Sequence, residues 1–260
     1  MEQKTLAEFP ISVGSYISFV DKIIALGKEH TSSFICIANV HMFIEAYKDE
    51  AFGEIIKKAS VVTPDGVPLT WGLSILHGIK QVRVAGMDLL PDLMQKLIKN
   101  KLSVFFYGGT PNLLKQTRVY LKTSFPILRQ AGFYSPPFRE LSVLENAAII
   151  NRINSSGANI IFVILGCPKQ EKWMASMKGK INGCMIGIGG ALPVLIGIQK
   201  RAPLWMQGVG MEWLFRLYLE PKRLYRRYAI TNTLFFYVFF KEYIKIKLYS
   251  YLKMRRKKLN

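Results

Sequence analysis

Seven short β-rich apolar runs, set apart by stretches of helical length, constrain this chain more than any other feature. They are Phe34–Val40, Ser60–Thr63, Val82–Ala85, Ser103–Tyr107, Arg129–Phe133, Asn159–Leu165 and Cys184–Ile188. Several are apolar throughout, without polar alternation, as strands buried on both faces of a parallel sheet must be. The intervening segments Met87–Lys99, Asn112–Thr123, Val143–Asn154 and Gln170–Met177 read as helices. Strand, helix, strand, helix at this spacing predicts an α/β fold with a mainly parallel sheet covered by helices on both faces. Near Arg201-Ala202-Pro203 the strand signal stops. Met206–Leu219 reads as one helix, Pro221 opens another, and Leu234–Lys258 reads as a long aromatic and basic helix. The expected division is a catalytic α/β domain over 1–200 and a helical basic appendage over 201–260.

The charge is as uneven as the secondary structure. The net charge is +19, and residues 200–260 hold fifteen Lys and Arg against three Glu, which is +12 of the total. Positive surface at that density seeks phosphate, on nucleic acid or on anionic lipid head groups. Nucleic-acid binding is therefore the alternative function, but none of the usual DNA or RNA motifs accompanies the charge. Cys36, Cys167 and Cys184 show no metal-ligand spacing, and an odd number on apolar runs predicts reduced, buried thiols. Glu2 and Glu8 break the basic-then-apolar order of a signal peptide. Ala229–Phe240 is apolar for fewer than the roughly 20 residues a bilayer span needs, so the expectation is a protein lying on a membrane surface.

Ligands of open α/β sheets sit beyond the carboxyl ends of the strands. Three such ends carry glycine: Gly108-Gly109, Gly166-Cys167-Pro168-Lys169-Gln170-Glu171, and Gly189-Gly190. Glycine there lets backbone N–H groups and a helix N-terminus approach phosphate, although Gly and Pro also punctuate ordinary turns. No GxxxxGK[ST] occurs, and Gly187-x-Gly189-x-x-Leu192 lacks the third glycine of the dinucleotide fingerprint, which counts against an NTPase and an oxidoreductase. In Thr63-Pro64-Asp65-Gly66, Asp65 is either turn chemistry or a general base that deprotonates an attacking hydroxyl. Arg83 either offsets leaving-group charge or forms a surface ion pair. His41 follows a strand and either faces the cleft or is hydrogen-bonded in the core.

Taken in order, these residues resemble the WecG/TagA/CpsF family of bacterial glycosyltransferases over about residues 30–230. The resemblance rests on Asn39, Pro64-Asp65-Gly66, Arg83-Val84-Ala85-Gly86-Met87-Asp88-Leu89, Tyr107-Gly108-Gly109, Gly132-Phe133-Tyr134, Gly166-Cys167-Pro168-Lys169-Gln170-Glu171-Lys172-Trp173 and Gly187-Ile188-Gly189-Gly190. It continues through Lys200-Arg201-Ala202-Pro203, Glu212-Trp213-Leu214-Phe215-Arg216-Leu217 and Glu220-Pro221-Lys222-Arg223-Leu224-Tyr225-Arg226-Arg227. The resemblance implies a Rossmann-like, inverting, metal-independent transferase without a cofactor. Its donor would be a UDP-sugar and its acceptor a polyprenyl-diphosphate-linked sugar, at the cytoplasmic face of the membrane. Asp65 matches the family's general base, Arg83 and Gln170 its active-site lining, and the glycine loops with Asn39, His41, Gly86 and Tyr134 its substrate region. Arg201, Arg216, Arg223, Arg226 and Arg227 would meet the acceptor diphosphate or the membrane. A homo-oligomer is compatible with this resemblance. Ile37-Ala38-Asn39 and Leu192-Pro193 depart from the common family pattern, which leaves N-acetylmannosamine and a hexose such as glucose as donor sugars.

Overall fold

The structure, a computed structural model, describes residues 1–259. The chain opens with β1 (Gln3–Leu6) and β2 (Phe9–Ser12), an antiparallel pair separate from the main sheet, followed by α1 (Tyr16–Lys28). The α/β body then runs β3 (Ser33–Ala38), α2 (Val40–Lys48), α3 (Glu50–Lys57), β4 (Val61–Pro64), α4 (Val67–His77), α5 (Gly86–Lys99), β5 (Ser103–Gly108), α6 (Pro111–Ser124) and β6 (Arg129–Tyr134). It continues with α7 (Val143–Ser155), β7 (Ile160–Ile164), α8 (Lys169–Met177), β8 (Cys184–Gly187) and α9 (Ala191–Leu195). Three helices close the chain: α10 (Leu204–Gly208), α11 (Glu212–Leu219) and α12 (Pro221–Leu259).

The six strands β3 to β8 form one sheet in the order β4-β3-β8-β7-β5-β6, every pairing parallel. The continuous apolar runs have the expected cause. In β3, Phe34, Cys36 and Ala38 belong to one core while Ile35 and Ile37 belong to the other. In β5, Phe105 and Tyr107 oppose Val104 and Phe106 in the same way. Helices α2, α3, α4, α7 and α8 cover the first face, and α1, α5, α6 and α9 the second. This is the Rossmann-like α/β architecture with helices on both faces. Cys36 and Cys184 are buried, Cys167 is half-buried, and all three are free thiols.

Four local expectations are corrected. Val82–Ala85 is not a strand: it passes the edge strand β4 with a single ladder bond, from the Val84 N–H to the Pro64 carbonyl at 2.9 Å. Ala85 then opens α5. β3 stops at Ala38 because the Asn39 side chain accepts the Met42 N–H at 3.1 Å and starts a helix there. Met206–Leu219 is two helices, broken where Gly210 takes a left-handed φ of 74°. Pro221 and Leu234–Lys258 lie on one helix, α12.

α12 is anchored to the α/β body as well as extending from it. Phe235, Val238 and Phe239 are buried in the first core, with Phe235 edge-on to Phe43 of α2 at 5.4 Å. Phe236 and Phe240 of the same helix stay exposed, as do Trp205 and Trp213. No helix among the described residues is long and apolar enough to cross a membrane.

Candidate active site

The chain leaves β3 toward one face of the sheet and β8 toward the other, so a crevice opens between their carboxyl ends. Asn39 and His41 enter it from the end of β3, Asp65 from β4, Gly166 from β7, and Gly187 to Gly190 from β8. α11 and α12 form its opposite wall, and the cleft encloses about 420 Å³. The Asp65 turn is fixed by its own backbone: its N–H donates to the Ala38 carbonyl at 2.8 Å, and Gly66 starts α4 with Pro68 in the first turn.

Asp65 lies half-buried in this cleft. Burial pushes its carboxyl up to about 6, against the opposing pull of Arg216 and Arg83. Arg83 itself is committed elsewhere. It donates to Glu212 at the start of α11 and lies 3.5 Å from Asp88, while Arg201 pairs with Asp88 and lies 3.7 Å from Glu212. Arg83, Glu212, Arg201 and Asp88 thus close a ring of alternating charge that ties α11 to the loop before α5. Arg216 has no carboxylate within ion-pair distance among the described residues; its guanidinium donates to the Met87 sulfur at 3.7 Å. Among the described residues, Arg216 and Arg227 are the cleft-lining arginines without a carboxylate partner, and both are left available to a ligand.

The floor is an amide held from below. Gln170 is buried; its Oε1 accepts the Gly166 N–H at 3.2 Å and its Nε2 donates to Glu171 Oε1 at 2.8 Å. A Cβ on Gly187 would stand 2.7 Å from that Nε2, so Gly187 is required for the amide to reach under the β8 loop. Glu171 is fully buried beneath the cleft, its carboxyl raised by burial and its Oε2 unpaired. His41 is pushed down by burial and by Arg227 beside it, which keeps the imidazole neutral near pH 7.

The structure gathers most of the predicted residues into this one cleft: Asn39, His41, Asp65, Arg83, Gly86, Gly166, Gln170, Gly189, Gly190, Arg216, Arg223 and Arg227. Others fall outside it. Gly108 and Gly109 end β5 on the far side, where the Gly109 N–H donates to the Ile164 carbonyl at 2.8 Å and a Gly108 Cβ would meet that same oxygen at 2.7 Å. Close strand packing explains those glycines. Tyr134 stacks on Tyr107 at 6.1 Å beneath Arg152. Pro168 does not line the cleft, Lys169 and Arg226 face solvent, Glu171 lies under the floor, and Arg201 is spent in the charged ring. Leu192 is buried in the second core, so of the two departures from the family pattern only Ile37 faces the cleft.

Glu212 was not singled out in the sequence for a role, and neither were Tyr228, Thr231 and Asn232, which also line the cleft. The available signal for the last three was their spacing from Arg223 and Arg227 along one helix. Among the described residues there is no group of three or more His, Cys, Asp or Glu side chains placed to hold a metal ion.

The chain matches the model of the Glycosyl transferase WecG/TagA/CpsF family over residues 4–248, and it belongs to that family. Membership makes it a glycosyltransferase of cell-surface polysaccharide synthesis, a family that works with sugar-nucleotide donors and lipid-linked acceptors close to the membrane.

Proposed function

We propose that this cleft transfers a sugar from a UDP-sugar to a hydroxyl of a polyprenyl-diphosphate-linked sugar, in one inverting displacement that uses no metal. The observation that carries the reading is Asp65: a carboxyl at a strand end, raised to about 6, in a cleft that also holds an uncommitted guanidinium. Asp65 accepts the proton of the acceptor hydroxyl as its oxygen attacks the anomeric carbon. The bond from that carbon to the UDP oxygen breaks on the opposite face, and UDP leaves with the bonding pair. Charge grows on the diphosphate, and the donors able to meet it are Arg216, Arg227 and, through the guanidinium nitrogens not paired with Glu220, Arg223. Arg83 has the different task of holding Glu212, and with it α11, in place. N-acetylmannosamine and a hexose such as glucose both remain donor sugars under this reading.

The test is a donor panel: full-length protein, a lipid-diphosphate-sugar acceptor in detergent, and release of UDP as readout. Acceptor-dependent turnover of one UDP-sugar is expected. Turnover of none, with no UDP binding by calorimetry, overturns the reading.

The same proposal places the protein peripherally at the cytoplasmic face of the membrane. Trp205, Phe236 and Phe240 are exposed among Lys and Arg, a composition suited to an anionic lipid interface. Replacing these three with Ser is expected to reduce sedimentation with anionic vesicles; unchanged sedimentation contradicts the placement.

A further inference from the structure

α12 presents one continuous ladder to the molecule at every fourth residue: Arg223, Arg227, Thr231, Phe235 and Phe239. Its character changes along its length. Arg223 and Arg227 line the cleft, Thr231 lines it next, and Phe235 and Phe239 are buried against the first core. Tyr228 and Asn232, one residue on from the ladder, line the same stretch of wall. The wall therefore passes from cationic to neutral polar before apolar packing closes it.

The polar part of that ladder is left unsatisfied. A helical Thr commonly donates its hydroxyl back to the carbonyl four residues earlier, and Thr233 does so to Ala229 at 2.8 Å. Thr231, only 4% exposed, makes no such bond among the described residues, and neither does the Asn232 amide make any. Arg227 Nε is buried and also has no partner. Buried donors and acceptors without partners are rare in folded chains because each costs the free energy of losing water. Arg227 Nε is such an atom, and beside it the Thr231 hydroxyl and the Asn232 amide line the cleft with their own hydrogen-bonding capacity unused, so this wall can bond a ligand in return.

We propose that Tyr228, Thr231 and Asn232 are specificity-determining residues that hydrogen-bond the hydroxyls of an uncharged sugar ring, while Arg223 and Arg227 above them take its diphosphate. The neutral stretch has no cation to match a sugar carboxylate and no carboxylate to match a sugar amine. Two substrates carry a sugar next to a diphosphate, the donor and the lipid-linked acceptor, and both present this chemistry. The inference rests on the transferase reading.

The experiment compares full-length wild type, Asn232→Ala and Thr231→Val, the last keeping shape while removing the hydroxyl. UDP affinity is measured by calorimetry, and KM is measured for the active UDP-sugar and for the lipid-diphosphate-sugar acceptor. UDP alone is expected to bind all three proteins equally. KM for one sugar substrate is expected to rise about tenfold in each variant, the size of one lost hydrogen bond. A rise confined to the donor KM assigns the wall to the transferred sugar, and a rise confined to the acceptor KM assigns it to the receiving sugar. Wild-type KM values for both substrates overturn the inference and leave the transferase reading standing. So does an equal loss of UDP affinity, which marks a packing role. A wild-type chain that turns over no donor and binds no UDP sinks both.

Discussion

Asp65 and Glu171 are the two carboxyl groups of the cleft region whose protons burial holds more tightly, yet the structure gives them opposite surroundings. Asp65 opens into the cleft, faces Arg216 and Arg83, and is left free to exchange a proton. Glu171 lies beneath the floor with no route to a ligand, one oxygen accepting from Gln170 and the other unpaired. A raised pKa therefore marks burial in both, and only access separates a group that can act on substrate from one that props up its neighbours. Gln170 is the link between them: Glu171 fixes which end of its amide points down, so its Oε1 is turned to the Gly166 loop.

The largest effect expected from this comparison is at Asp65. Asp65→Asn should lower acceptor-dependent turnover about 1,000-fold, within the range that general-base removal gives. The same variant should be at least as stable as wild type at pH 8. A carboxyl whose folded pKa is raised costs the fold stability as the pH climbs from its ordinary value of 3.8 to about 6, and the whole of that cost is present above 6. The neutral amide escapes that cost. Thermal melting and steady-state UDP release check the two halves, and loss of turnover accompanied by unfolding would break the contrast.

Next comes the charged ring beside Asp65. Glu212→Ala leaves Arg83 and Arg201 half-buried with Asp88 as their one remaining shared carboxylate, and the expected loss of stability is about 3 kcal/mol by chemical denaturation. A variant as stable as wild type would show that the ring does not hold α11.

The smallest effects belong to Glu171. Glu171→Ala strands the Gln170 Nε2 and should cost about 1–3 kcal/mol of stability while raising the donor KM more than it lowers kcat. Glu171→Gln keeps an acceptor oxygen in place and should restore most of the KM. A fall in kcat as deep as that of Asp65→Asn would place Glu171 in the chemistry and erase the distinction.

Sequence carried the layered fold because fully apolar strands leave few other solutions; β3, β5, β7 and β8 stand close to where the apolar runs put them. It misjudged Val82–Ala85, whose composition suits a strand but whose place beside an edge offers one ladder bond. The glycine loops illustrate a similar limit. Gly187 and Gly108 look alike in the chain, yet one makes room for Gln170 below the cleft and the other for a neighbouring strand. Arg226 and Arg227 were equivalent as letters, and helical phase alone turns one to solvent and the other to the cleft. Glu212 carried no signal of its role, since its two Arg partners lie 11 and 129 positions away.

The central claim is that Asp65 is the base, and the pH dependence of acceptor-dependent kcat/KM tests it most directly. Asp65 must be ionised to accept a proton, and its carboxyl titrates at about 6. The account predicts an ascending limb that falls about tenfold per pH unit below pH 6 and levels off above it. A profile flat from pH 4.5 to 8 would contradict it and remove Asp65 from the proton transfer.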